Sequence, residues 1–141
     1  MKKLAIAILA MCFAGSVSAE CPVAADAELA KLITKNGGIN DPKLSDVCSL
    51  VGREGFTFMI LGHHEVQSGR SFAFVNVLLA DQELGIASSS HVATATEVSQ
   101  VANAQESERL FLKAVSAAIS GFMLEDAIAK LKESKSRIQA P

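Results

Sequence analysis

Two histidines and a carboxylate stand together in Gly62-His63-His64-Glu65-Val66. Residues two apart on a strand project from the same face, so His63 and Glu65 form a pair that metal sites can use. They are candidate ligands for a metal ion or a haem iron, and His91 is the candidate third ligand. Catalytic zinc takes three protein ligands and leaves one position open. His64 could join only on a bulged strand. H-E-x-x-H is absent, since it needs a second histidine one helical turn after the first. The plainer reading is a polar strand end beside a turn.

Ser88-Ser89-Ser90-His91 sets hydroxyls beside an imidazole, so a hydrolase using Ser90 and His91 is a further expectation. No G-x-S-x-G accompanies it, and serine runs commonly form caps and turns. Arg70 is a candidate anchor for an acidic group on a partner. Phe56, Phe58, Met59, Phe72, Phe74, Phe111, Phe122 and Met123 are either a pocket for a small apolar ligand or an ordinary core. Gly37-Gly38 and the stretch 52–55 lack the strand-to-helix setting of a phosphate loop. No residue is assigned a catalytic role.

These residues need elements to hold them. Residues 22–36 predict a helix, with Pro22 in its first turn and Ala25, Leu29, Leu32 and Ile33 on one face. Asn36-Gly37-Gly38 stops it. Asp41-Pro42 starts a second helix, with Leu44, Val47, Cys48 and Val51 on its apolar side and Gly52 at its end. From Phe56 the period becomes two. Residues 56–66 and 71–80 are rich in β-branched and aromatic types and predict a hairpin. A two-residue Ser68-Gly69 loop pairs Val66 with Ser71, His64 with Ala73, His63 with Phe74, Glu65 with Phe72, and Ile60 with Val77. Both faces are apolar near Phe58 to Leu61, which predicts cover on both sides. Residues 81–83 predict a turn and 84–93 a short third strand. Residues 94–120 predict a long helical tract, broken near 103–107, and 123–136 a last helix whose acids precede its lysines. The tail after Ser136 is expected to fray.

The chain opens with Lys2-Lys3, an apolar run from Leu4 to Ala14, and Val17 and Ala19 at the positions of a cleavage site. That is the pattern of a cleaved signal peptide over 1–19, too short to span a bilayer, which takes roughly 20 apolar residues. Met11 before Cys12 and Glu20 before Cys21 do not fit lipoprotein cleavage. Residues 20–141 then form one small domain. Losing Lys2 and Lys3 takes the formal charge from −2 to −4, against the basic footprint that nucleic acid requires. With no Trp and no Tyr, stacking platforms for sugars or bases are scarce. Cys21 and Cys48 remain as a pair, expected to form a disulfide in an oxidising compartment. On the chain-entropy argument it contributes about 3–4 kcal/mol.

The expected fold is α+β: an N-terminal helical pair tied by the disulfide, a two- or three-stranded antiparallel sheet, and C-terminal helices packed on the sheet. The expected function is that of a small exported protein of a bacterial envelope, periplasmic or released outside. It binds another protein without catalysis, as inhibitor, immunity factor or accessory subunit, with a homodimer as a further option. The alternatives are a metal, haem or small-ligand binder using His63, Glu65 and His91 or the Phe/Met pocket, and the Ser90/His91 hydrolase.

Overall fold

The computed structural model describes residues 21–141. The expected signal segment 1–19 lies outside the described residues. The chain is α+β, but the sheet has four strands in the order β1-β2-β3-β4 and is mixed, not purely antiparallel.

β1 (Val23–Ala24) pairs in parallel with Phe58 and Met59 of β2 (Thr57–Gln67). The first helix therefore does not begin at Pro22. The carboxylate of Asp26 accepts from the amides of Glu28 and Leu29 and caps α1 (Ala27–Lys35). A side-chain cap fixes a helix start more firmly than apolar spacing does. The residues before it are left free to add to the sheet edge, where the Pro22 carbonyl accepts from the Phe58 amide at 2.9 Å. The second helix starts as expected. Asp41 caps a single 3-10 turn (Pro42–Leu44) that runs into α2 (Ser45–Arg53), with Leu44, Cys48 and Val51 buried. Cys21 and Cys48 are bonded, Cα to Cα 4.6 Å, so the bond ties the lead-in to β1, not the start of a helix, to α2.

β2 and β3 (Arg70–Asp81) pair in the expected register, from Gln67 with Arg70 back to Thr57 with Ala80. Ser68 (φ 51°) and Gly69 (φ 74°) are both left-handed, as a tight two-residue hairpin turn requires. β4 (Ile86–Ser99) is much longer than expected and takes over the start of the expected helical tract. The spacing of Val98, Val101 and Ala102 imitates a helix. The residues before them alternate, with Thr94, Thr96 and Val98 outward and Ala93, Ala95 and Glu97 half-buried, and β3 offers a ladder for them to complete. Small and β-branched residues suit that half-buried surface. Asn103, where a helix break is expected, is the cap of α3 (Ala104–Ser120) and accepts from the Glu106 amide at 2.8 Å. The last helix, α4 (Leu124–Gln139), continues through the expected fraying tail, with Arg137 paired to Glu133.

Among the described residues the core lies on one side of the sheet. Phe58 and Ile60 of β2 and Val75, Val77 and Leu79 of β3 pack with Leu110, Phe111, Val115 and Ile119 of α3 and Leu131 of α4. Each such side chain contributes about 1.5–3 kcal/mol by leaving water. The expectation of cover on both faces fails at Leu61, which is 49 % exposed. The C-terminal helices both pack on the core side: α3 lies across β2, β3 and β4, and α4 joins it there.

Candidate functional site

Alternation along β2 splits the Gly62–Val66 stretch between the two faces of the sheet. His64 points into the core side, where its Nδ1 lies 3.1 Å from the Ser107 hydroxyl and its ring 5.7 Å from that of Phe111. The Ser107 hydroxyl itself donates to the Ala104 carbonyl. His64 is thus a packed, hydrogen-bonded residue at the start of α3. His63 and Glu65 point to the other face, as expected, with Nε2 and Oε2 3.1 Å apart and side chains 64 % and 37 % exposed. The His63 ring stands edge-on to Phe72 at 6.3 Å.

The structure does not bring His91 to this pair. His63 is opposite Phe74, and Phe74 is opposite Thr96, so His91 lies a strand further on and five residues along β4. At strand spacings that is roughly 19 Å, far beyond any shared ion with bonds near 2 Å. Among the described residues no group of three His, Cys, Asp or Glu side chains is placed to hold a metal ion.

Ser90 and His91 do meet, Oγ to Nδ1 at 3.0 Å, and Ser88 joins through the Ser90 hydroxyl at 3.2 Å. The cause is an irregularity that the sequence did not announce. Leu78 pairs with Val92 and Ala80 with Ala87, so Ser88 to His91 bulge opposite the single residue Leu79. A triad needs a third group to orient the base. Among the described residues no carboxylate hydrogen-bonds the His91 ring. His91 lines two open hollows, one of about 190 Å³ with Phe122 and Met123 and one of about 330 Å³ with Asp126, Lys130 and Glu133. Arg70 is exposed at the hairpin tip. The Phe/Met set divides: Phe56, Phe58 and Phe111 are core with Phe122 half-buried against them, Met59, Phe72 and Phe74 lie on the other sheet face, and Met123 is exposed before α4.

What the structure does assemble is that second sheet face. Strand pairing sets Met59, Leu61, His63 and Glu65 beside Leu78, Asn76, Phe74 and Phe72, and these beside Val92, Thr94, Thr96 and Val98. Leu61 (49 %), Phe74 (39 %), Val92 (49 %) and Val98 (57 %) are among the largest exposed apolar side chains. The Thr94 hydroxyl donates to the Asn76 amide oxygen at 2.6 Å, the polar link in the middle of the face.

No protein-family model, no curated protein and no solved structure matches this chain. The chemistry of the face therefore carries the functional reading. Its ionisable groups on β2 to β4 are His63 and Glu65, already paired, with Arg70 at the rim. Glu97 belongs to the core side, where it accepts from Lys113 of α3 at 2.9 Å. The face offers apolar contact, hydroxyls and one amide. It carries no nucleophile with an activating base.

The hairpin's apolar residues on both faces near Phe58 to Leu61 predict cover on both sides and so hide this surface. A sheet flanked by helices on both sides would have justified that. The available sign was the alternation of Thr94, Thr96 and Val98, read as helix.

Proposed function

We propose that this chain is a small exported protein of a bacterial envelope that acts without catalysis by binding another protein through the open face of its sheet. One observation carries the reading: among the described residues, a contiguous sheet face of mainly apolar and neutral polar side chains is left uncovered. The largest apolar patch on a monomer spans about 300–600 Å² and is often functional. The bonded Cys21–Cys48 pair fits an oxidising compartment, and among the described residues no helix is long and apolar enough to cross a membrane. The role of inhibitor, immunity factor or accessory subunit follows from export together with the lack of a catalytic constellation.

The test is affinity capture from periplasmic extract with the wild type and with Leu61→Asp and Val98→Asp, both at exposed positions. A stoichiometric protein held by the wild type and released by both variants is the expected result. A wild type that retains no protein, neither a foreign one nor a second copy of itself, removes the reading.

A further inference from the structure

We infer that the occupant of the open sheet face is a second copy of this chain, packed face to face about a two-fold axis that passes over β3 and bisects the shallow angle between the two β3 strands. The inference rests on the reading of that face as a protein-binding surface and names its partner.

Shape comes first. Twisted sheets stack face to face with their strands near −30° because each carries the same hand of twist, so a sheet face is a natural partner for its own copy. In a two-fold interface residue i meets j and j meets i, so residues on the axis meet themselves. β3 is the middle of the three long strands, flanked by β2 and β4. An axis over it lays Phe72, Phe74, Asn76 and Leu78 on or beside their own counterparts. Self-contact favours apolar groups, and groups that both donate and accept hydrogen bonds. It penalises charge. Phe72, Phe74 and Leu78 are apolar. Asn76 carries both donors and an acceptor, and its amide nitrogen has no partner among the described residues while its oxygen takes the Thr94 hydroxyl. The same axis brings Met59 over Val92 of the other copy, and Leu61 over Thr94.

Charge agrees. The hydrogen-bonded pair His63 and Glu65 sits on β2, away from the axis. The remaining acids of the described residues lie off this face, in α1 to α4, their connections and the core side of β3 and β4. Two copies of an acidic chain can therefore approach here without facing each other's charge. A strongly charged partner would find nothing to pair with. At about 3.3 Å per residue and about 4.8 Å per strand the face measures roughly 27 by 14 Å, near 400 Å². Two such faces pressed together cover about 800 Å², below the roughly 1,200 Å² of a stable interface, so the dimer is weak and reversible.

Sedimentation velocity of the full exported chain over a concentration series from micromolar to millimolar decides this. The expected result is a rapidly exchanging monomer and dimer. Phe74→Asp, which would set a carboxylate against its own copy, weakens the dimer at least about tenfold. Lys31→Glu, on exposed α1, leaves it unchanged. Asn76→Cys adds a readout that does not depend on tolerance of Phe74→Asp: a short bifunctional thiol reagent links two chains through position 76 much faster than it links Val66→Cys chains. A monomer throughout the series overturns the inference, as does a dimer indifferent to Phe74→Asp or a position 76 that links no faster than position 66. The broader reading is scored separately. If the chain is monomeric yet captures a foreign partner that Phe74→Asp releases, the face binds proteins but not its copy. If it does neither, both fall.

Discussion

Gly62 lies where β2 passes directly beneath α3. A Cβ there would stand 2.5 Å from the Phe74 carbonyl oxygen and 3.0 Å from the Phe111 ring. The nearest obstacle is backbone in the paired strand, which cannot step aside, so Gly62→Ala should cost about 2 kcal/mol or more in denaturant unfolding. His63→Ala, one residue on but on the open face, should cost under about 0.5 kcal/mol, because an exposed ion pair contributes little. Metal analysis of the untagged wild type and this variant should give the same result. Asp81 shows the opposite environment. Its side chain is 1 % exposed and accepts from Lys135 at 2.9 Å and from the Leu84 amide at 3.1 Å. The hydrogen bond from Lys135 holds this carboxyl below its ordinary value although burial alone would raise it. A folded value below the unfolded one means that its stabilisation is complete above the ordinary carboxylate range and is lost as pH falls through the folded value. Asp81→Asn should therefore lower stability at neutral pH and flatten the loss of stability below about pH 4, read from unfolding midpoints across a pH series. At this scale the period-two pattern was enough to pair His63 with Glu65. The contact between His64 and Ser107 was hidden, because it depends on where α3 lands, 43 residues later.

The elements were legible where local chemistry decides them. Asp41 and Asn103 cap helical segments where a start and a break are expected, whereas the Asp26 cap falls inside the helix expected from Pro22. Asn103→Ala should cost about 1 kcal/mol in chemical denaturation, since it frees the Glu106 amide at the end of α3. Ser71 assists from a distance. Its buried hydroxyl donates to the Val101 carbonyl at 2.6 Å and accepts from the Asn103 amide at 3.3 Å, fixing the turn out of β4. One turn further along α3, Arg109 donates twice to Glu106 at 2.8 Å, and this hydrogen bonding draws the Glu106 carboxyl down to about 2. Only the first half of β4 was legible, as the short third strand expected over 84–93; its continuation to Ser99 was not, because those residues take the strand state when a neighbour strand is present. β1 was not legible either. Two residues carry no period, and their conformation is set by the free edge of β2.

For the molecule as a whole, the decisive asymmetry is a sheet with helices on one side. Helix and strand types can be read from periodicity, but the side on which the helices settle is a property of the assembled chain. If the open face serves binding and not folding, Leu61→Thr, Val92→Thr and Val98→Thr combined should leave the unfolding midpoint nearly unchanged, within about 0.5 kcal/mol per site, while removing association. A loss comparable to core truncation would show that these residues hold the monomer together. Removing the Cys21–Cys48 bond should act in the other direction, costing about 3 kcal/mol in the unfolding of the reduced protein. That bond also bears on speed. β2, β3 and β4 follow one another along the chain and can zip together through neighbouring turns, whereas β1 must return across two helices to reach Phe58. Closing a longer loop costs more entropy before any contact rewards it. With the bond intact, Val23 starts a short step from its partner strand. The oxidised chain should refold in one fast phase, and the reduced chain should show the docking of its N-terminal segment as a separate, slower event.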